Sequence, residues 1–187
     1  MPLEEYGTYN LGRCPLPLVC DNNKEKDMLN TEEGYKEKQA EKFAEFIHYG
    51  QKRRGGDDYI GHPRRVANAI KELGYGENVV CASWLHDVED FKFLDVALDL
   101  IDKVFGHEVF AMVLLLTHEP KDIPYNDYIY SIAKASKEAM AIKWQDMIDN
   151  TRDDIPKRQW EKYRNAVIFL QSKSIEAPGI LKERLKI

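Results

Sequence analysis

The chain has 187 residues, 43% of them hydrophobic, which predicts a single domain with one sizeable core and no second catalytic domain. Its 27 basic and 32 acidic residues leave a formal charge of −5, which argues against the broad basic surface of a nucleic-acid binder. Three cysteines, Cys14, Cys20 and Cys81, are an odd number without CxxC spacing. With no long apolar run and no cationic start leading into an apolar stretch, neither a membrane span nor a secretory signal is expected, and the cytoplasm is the predicted compartment.

Residues 1–30 read as an irregular arm, because Gly7, Gly12, Pro15, Pro17 and the polar run Asp21 to Asp27 interrupt any helical period. Residues 31–187 read as the domain proper. Thr31, with Glu32 and Glu33 after it, predicts the start of a helix running to about Arg53, with Ala40, Phe43, Ala44, Ile47 and His48 as its buried stripe. After the loop Gly55-Gly56-Asp57-Asp58, His62-Pro63 opens a second helix with Val66, Ala67 and Ile70 inward, ending at Gly74 and Gly76. Further helices are predicted over 77–90, 94–105, 107–117, 125–134, 136–150 and 156–173, with Gly106 as a break and Pro120 and Pro124 bounding a loop. Pro178-Gly179 begins a short tail helix. The pattern is all-α.

Four side chains in these helices have the chemistry of metal ligands: His62, the adjacent pair His86 and Asp87, and Asp146. Two imidazoles and two carboxylates suit a divalent transition metal better than Ca²⁺ or Mg²⁺. Neighbours on one helix point about 100° apart, so His86 and Asp87 share an ion only if His62 and Asp146 arrive from other helices. Lys143, Asp146 and Asn150 fall at i, i+3 and i+7 and share a face that combines an ammonium, a carboxylate and an amide. Lys52, Arg53 and Arg54 precede a glycine loop, where a guanidinium can stack on a base or hold phosphate.

The remaining polar and aromatic residues have plainer readings. His48 is expected in the core or behind the site, His107 and His118 at helix ends or on the surface, and Arg64 and Arg65 on a solvated face. Trp84, Trp144 and Trp160 are expected in the core, and Tyr125, Tyr128 and Tyr130 to pack.

The segments His48-Tyr49-Gly50-Gln51-Lys52-Arg53, Tyr59-Ile60-Gly61-His62-Pro63, Trp84-Leu85-His86-Asp87-Val88-Glu89-Asp90 and Lys143-Trp144-Gln145-Asp146, with Asn150 and Arg152, resemble the HD-domain hydrolases of the RelA/SpoT type over about residues 32–165. The likeness is to the small, stand-alone alarmone hydrolases. It implies an HD-domain helical bundle and one Mn²⁺ on His62, His86, Asp87 and Asp146. It also implies a phosphorylated nucleotide as substrate, with removal of the 3′-pyrophosphate of guanosine 3′,5′-bis(diphosphate). Lys52, Arg53, Arg54, Lys143 and Asn150 would then bind the substrate.

One departure concerns the acids. The family has two residues between its HD pair and its Glu-Asp pair, whereas only Val88 stands here before Glu89-Asp90. On an unbroken helix the residue three past Asp87 is Asp90, which would face the metal as general base, while Glu89 would point about 200° away. A local bulge would return Glu89 to the site. Asp149 and Asp153 stand where the family more often has His or Tyr and Thr. These differences leave two other readings open: an HD phosphohydrolase for another nucleotide, and a nucleotide-binding protein without turnover.

Overall fold

The computed structural model describes residues 34–118, 123–152 and 154–187, of which Lys36–Ile187 make one compact unit. Among the described residues nine α-helices follow one another: α1 Tyr35–Ile47, α2 Gly61–Glu72, α3 Glu77–Trp84, α4 Leu94–Phe105, α5 His107–Leu116, α6 Tyr125–Ala135, α7 Lys137–Asn150, α8 Lys157–Ser172 and α9 Gly179–Arg184. A 3-10 turn, Val88–Asp90, lies between α3 and α4. Among the described residues the only β pairing is a single antiparallel bridge between Lys52 and Asp58, so the all-α expectation is borne out. No helix among them is long and apolar enough to cross a membrane. The predicted arm, Thr31, Pro120, Asp153 and the side chain of the predicted base Asp90 fall outside what the structure describes.

Local chemistry sets the ends of the helices that carry the site. Pro63 occupies the first turn of α2, where its missing N–H would have had no intrahelical partner. The same helix closes on Gly74, whose φ of +81° is open to glycine at no steric cost. There the Gly74 N–H donates to Lys71 O at 3.0 Å and the Tyr75 N–H to Ile70 O at 3.3 Å, which caps two of the last carbonyls. Helix α7 begins where the Ser136 hydroxyl accepts the Ala139 N–H at 3.0 Å.

Helix α7 is the centre of the molecule. Helices α2, α3, α5, α6 and α9 all pack on it, and it buries Ala139, Met140, Ile142, Trp144, Asp146, Met147 and Asp149, more than a single stripe would hold. Helix α2 shows the opposite pattern, with His62, Pro63, Val66, Ala67 and Ile70 inward and Lys71 and Glu72 outward. Trp84 and Trp144 are core residues as expected, whereas Trp160 is half-buried.

Two predicted helices end early. The first stops at Ile47 rather than near Arg53, and Gly50, at a φ of +75°, turns the chain into a narrow loop. In that loop the Tyr59 N–H donates to Gln51 O at 3.0 Å and the Arg53 N–H to Asp57 O at 2.8 Å. Helix α3 stops at Trp84 instead of continuing through Asp90. The Leu85 N–H reaches back only three residues, to Ala82 O at 3.2 Å, and the chain then tightens into the 3-10 turn.

Candidate metal centre

Three parts of the fold bring the predicted ligands together. His62 stands in the first turn of α2, His86 and Asp87 in the turn after α3, and Asp146 on the inner face of α7. His62, His86 and Asp146 are each at most 3% exposed. The His62 Nε2 lies 3.2 Å from His86 Nε2, 3.3 Å from Asp87 Oδ2 and 3.2 Å from Asp146 Oδ1. The His86 Nε2 lies 3.4 Å from Asp87 Oδ1 and 3.8 Å from Asp146 Oδ1.

This geometry fits a bound cation. Donors about 2.1 Å from a common centre sit roughly 3.0–3.4 Å from one another in octahedral or tetrahedral arrangements, close to the spacings found. The ring hydrogens support the same conclusion. His86 Nδ1 faces Ser83 O at 2.7 Å and must donate, and His62 Nδ1 faces Asp149 Oδ2 at 2.6 Å and donates as well. Neutral rings with both Nδ1 atoms protonated turn two Nε2 lone pairs toward each other across 3.2 Å, which is repulsive unless a positive charge lies between them. His62, His86 and Asp87 present donor atoms within 4.8 Å of one another, and Asp146 joins them through the two imidazoles.

The electrostatics point the same way. Burial opposes a charged His62 ring, yet the Asp146, Asp149 and Asp87 carboxylates outweigh it and hold its pKa well above the ordinary histidine value. Burial likewise opposes charge on His86, and Asp87 and Asp146 overcome it. For Asp146 burial would raise the pKa, but Lys143, His62 and His86 pull it well below the usual carboxylate range. The pocket therefore has a negative potential at its centre.

Around the ligands the other predicted residues divide. Asn150 joins the site, donating through Nδ2 to Asp146 Oδ1. Arg53 joins it too, with Nη2 donating to Asn150 Oδ1 and Nη1 to Asp149 Oδ2, each at 3.0 Å. Lys143 is half-buried, and its Nζ contacts Asp146 Oδ2 at 2.8 Å. The structure does not bring Lys52 in: its ammonium pairs with Asp58 at 2.6 Å on the exposed loop. Arg54 is exposed on the same loop.

The acids differ from expectation. With α3 ended at Trp84, the helical-wheel reason for preferring Asp90 no longer holds, because Val88–Asp90 follow a 3-10 path. The Glu89 carboxylate accepts the His118 backbone N–H at 2.7 Å, tying this turn to the end of α5. His118 is half-buried and stacks on Tyr128 with ring centroids 4.3 Å apart, so it is more than a surface residue. His48 is buried behind the site, with Nδ1 2.8 Å from Gln51 Oε1 and its ring 4.8 Å from that of Tyr59.

Three contributors escaped the sequence reading. Tyr59 Oη donates to Asp87 Oδ2 at 2.7 Å and so orients a ligand. Asp149 receives the His62 ring, and Arg65 donates to it through Nε at 2.6 Å and Nη2 at 2.9 Å, which overturns the solvated-face expectation for Arg65. Spacing carried the missed signal: Arg65 stands three residues past His62 and Asp149 three past Asp146, each on the face of its ligand.

A helical bundle that gathers two histidines and two aspartates in this way defines an HD domain, and the chain belongs to that family, matching it over residues 40–167. The resemblance drawn from the four motifs is thereby borne out. Among its relatives, a probable guanosine-3′,5′-bis(diphosphate) 3′-pyrophosphohydrolase of Synechocystis is 39% identical over 71 residues, 38% of this chain and 9% of that protein. The guanosine-3′,5′-bis(diphosphate) 3′-pyrophosphohydrolase of Aquifex aeolicus is 39% identical over 75 residues, 40% of this chain and 10% of that one. A probable GTP pyrophosphokinase of Mycobacterium leprae is 43% identical over 67 residues, 35% of this chain and 8% of that protein. The chain thus spans about a tenth of the length of the curated relatives it matches. A solved structure described as a metazoan ortholog of SpoT that hydrolyzes ppGpp shares the fold, with a TM-score of 0.65 at 23% identity over 83% of this chain and 94% of that one.

Proposed function

We propose that this protein is a Mn²⁺-dependent phosphohydrolase of the cytoplasm that removes the 3′-pyrophosphate of guanosine 3′,5′-bis(diphosphate). The observation that carries the reading is the pair of imidazole Nε2 atoms 3.2 Å apart, flanked by Asp87 and Asp146, with Arg53 and Asn150 at their edge. Two relatives named for this hydrolysis support the choice of substrate.

In the reaction, water adds to the phosphorus next to the ribose 3′ oxygen and the P–O3′ bond breaks, giving pyrophosphate and guanosine diphosphate. A divalent ion on His62, His86, Asp87 and Asp146 would offset the negative charge that otherwise resists attack. The chain's own residues do the rest. Lys143 keeps Asp146 ionised and in place, and Tyr59 does the same for the position of Asp87. Arg53, fixed edge-on by Asp149 and Asn150, keeps its planar faces for a base and its charge for phosphate. One acid of the Glu89-Asp90 turn would accept the proton of the attacking water, Asp90 on the sequence reading, a contribution of about 10²- to 10⁴-fold for a general base.

The test is release of pyrophosphate from the tetraphosphate at neutral pH with added Mn²⁺, against a panel of other phosphorylated nucleotides. Turnover should stop with a chelator and in His62→Ala. Hydrolysis of another nucleotide without pyrophosphate release would move the assignment to that substrate, a reading that the acidic Asp149 favours. No turnover on any substrate would leave a nucleotide-binding protein.

A further inference from the structure

We propose that Asp149 is a positioning residue that joins the metal site to the basic rim of the cleft, acting on the metal through His62 and on the substrate side through Arg53. The proposal rests on the metal reading of the His62 cluster and is independent of which nucleotide is turned over.

One carboxylate here serves four N–H donors. Asp149 Oδ2 accepts from His62 Nδ1 at 2.6 Å, Arg53 Nη1 at 3.0 Å and Arg65 Nη2 at 2.9 Å, while Oδ1 accepts from Arg65 Nε at 2.6 Å. At 8% exposure it is nearly closed off from water, so these donors are its main solvation. The Arg65 pair is bidentate and uses both oxygens, which fixes the plane of the carboxylate. A fixed plane fixes the His62 ring, holds its proton on Nδ1 and aims the Nε2 lone pair at the shared centre. Gly61 lies beside this guanidinium: a Cβ there would stand 3.1 Å from Arg65 Nη1, which would have to give by a few tenths of an ångström.

The arrangement differs from a simple ion pair in what it connects. Arg65 and His62 both lie on α2, Asp149 lies on α7, and Arg53 comes from the loop before α2. Through Arg53 the same carboxylate reaches Asn150, whose amide donates to the ligand Asp146. The rim and the candidate ligands are thus linked by one chain of hydrogen bonds from His62 through Asp149, Arg53 and Asn150 to Asp146, and disturbing the carboxylate disturbs both ends. In Asp149→Asn one oxygen becomes an NH₂ group and the charge is lost, so the single remaining oxygen accepts from the His62 side or from Arg65 Nε but not from both.

The experiment measures Mn²⁺ affinity by calorimetry on the full chain, without substrate, for the unmodified protein, Asp149→Asn, Arg65→Ala and the double variant. Asp149→Asn should weaken Mn²⁺ by about 10- to 100-fold. Arg65→Ala should weaken it less, and should have no further effect once Asp149 is already Asn. Unchanged Mn²⁺ affinity in a folded Asp149→Asn protein, or additive effects of the two changes, overturns the proposal, since a residue that only supports the fold would lower stability and leave the affinity of folded molecules alone. If Asp149→Asn does not fold, the unmodified Zn²⁺-loaded chain decides: nitrogen NMR should find a slowly exchanging proton on His62 Nδ1 that becomes labile in Arg65→Ala. A bare His62 Nδ1 overturns the proposal. Absence of Mn²⁺ binding in the unmodified chain would remove the metal reading as well, which separates that failure from this one.

Discussion

His86 meets two needs with one ring. The end of α3 leaves its last carbonyls without intrahelical donors, and the His86 Nδ1–H supplies one of them at Ser83 O. The same bond leaves Nε2 as the free donor atom for a metal. A residue later, Asp87 is held by Tyr59, and after Val88 the chain comes to Glu89 and Asp90. Glu89 already accepts the His118 amide, and a glutamine there would still accept it. Glu89→Gln should therefore lower kcat by less than about tenfold, whereas Asp90→Asn should lower it by about 10²- to 10⁴-fold if Asp90 takes the proton. Steady-state kinetics on the two variants decides, and the reverse ranking would make Glu89 the base.

At the scale of elements, the two that matter most are the loop of residues 51–59 and helix α7. The loop places Arg53 on one arm and Tyr59 on the other, so a single turn contributes to both the rim and a ligand. Helix α7 carries Lys143, Asp146, Asp149 and Asn150 in two turns. Its start depends on Ser136, and Ser136→Ala should cost about 1 kcal/mol of stability, seen as a lower urea midpoint with an unchanged slope. Mn²⁺ affinity should stay as it is, because Ser136 lies ten residues before Asp146. Most of these elements were legible in the sequence, since Gly74, Gly106 and Pro124 punctuate strong apolar periods. The end of α3 was not. Leu85 and Val88 continue an apolar pattern, and both are buried in the structure, so hydrophobicity gives no sign of the break. The hydrogen bond from His86 to Ser83 O spans only three residues, but the apolar period carries no trace of it. The four candidate ligands were legible because their chemistry is rare in a core, while Arg65 looked like an ordinary surface arginine until its partner on α7 was placed opposite.

In the molecule as a whole, the ligands come from positions 62, 86, 87 and 146, and the packing of α2, α3 and α5 against α7 brings them together. The burial of α7 has a consequence in time. A helix covered on one face can fray while the rest of the fold stands, but α7 is enclosed by five others, and its backbone reaches water only when the bundle comes apart. In hydrogen–deuterium exchange, the amides of Ile142 to Asp149 should be among the slowest, with an opening free energy equal to that of global unfolding, while those of α9, only six residues long, should exchange sooner. Asp146, Lys143 and Asp149 all ride on that slow stretch. The α7 part of the centre should then have no independent lifetime: a folded copy keeps Lys143, Asp146 and Asp149 in place for as long as it stays folded, and their loss and the loss of the fold become one kinetic event.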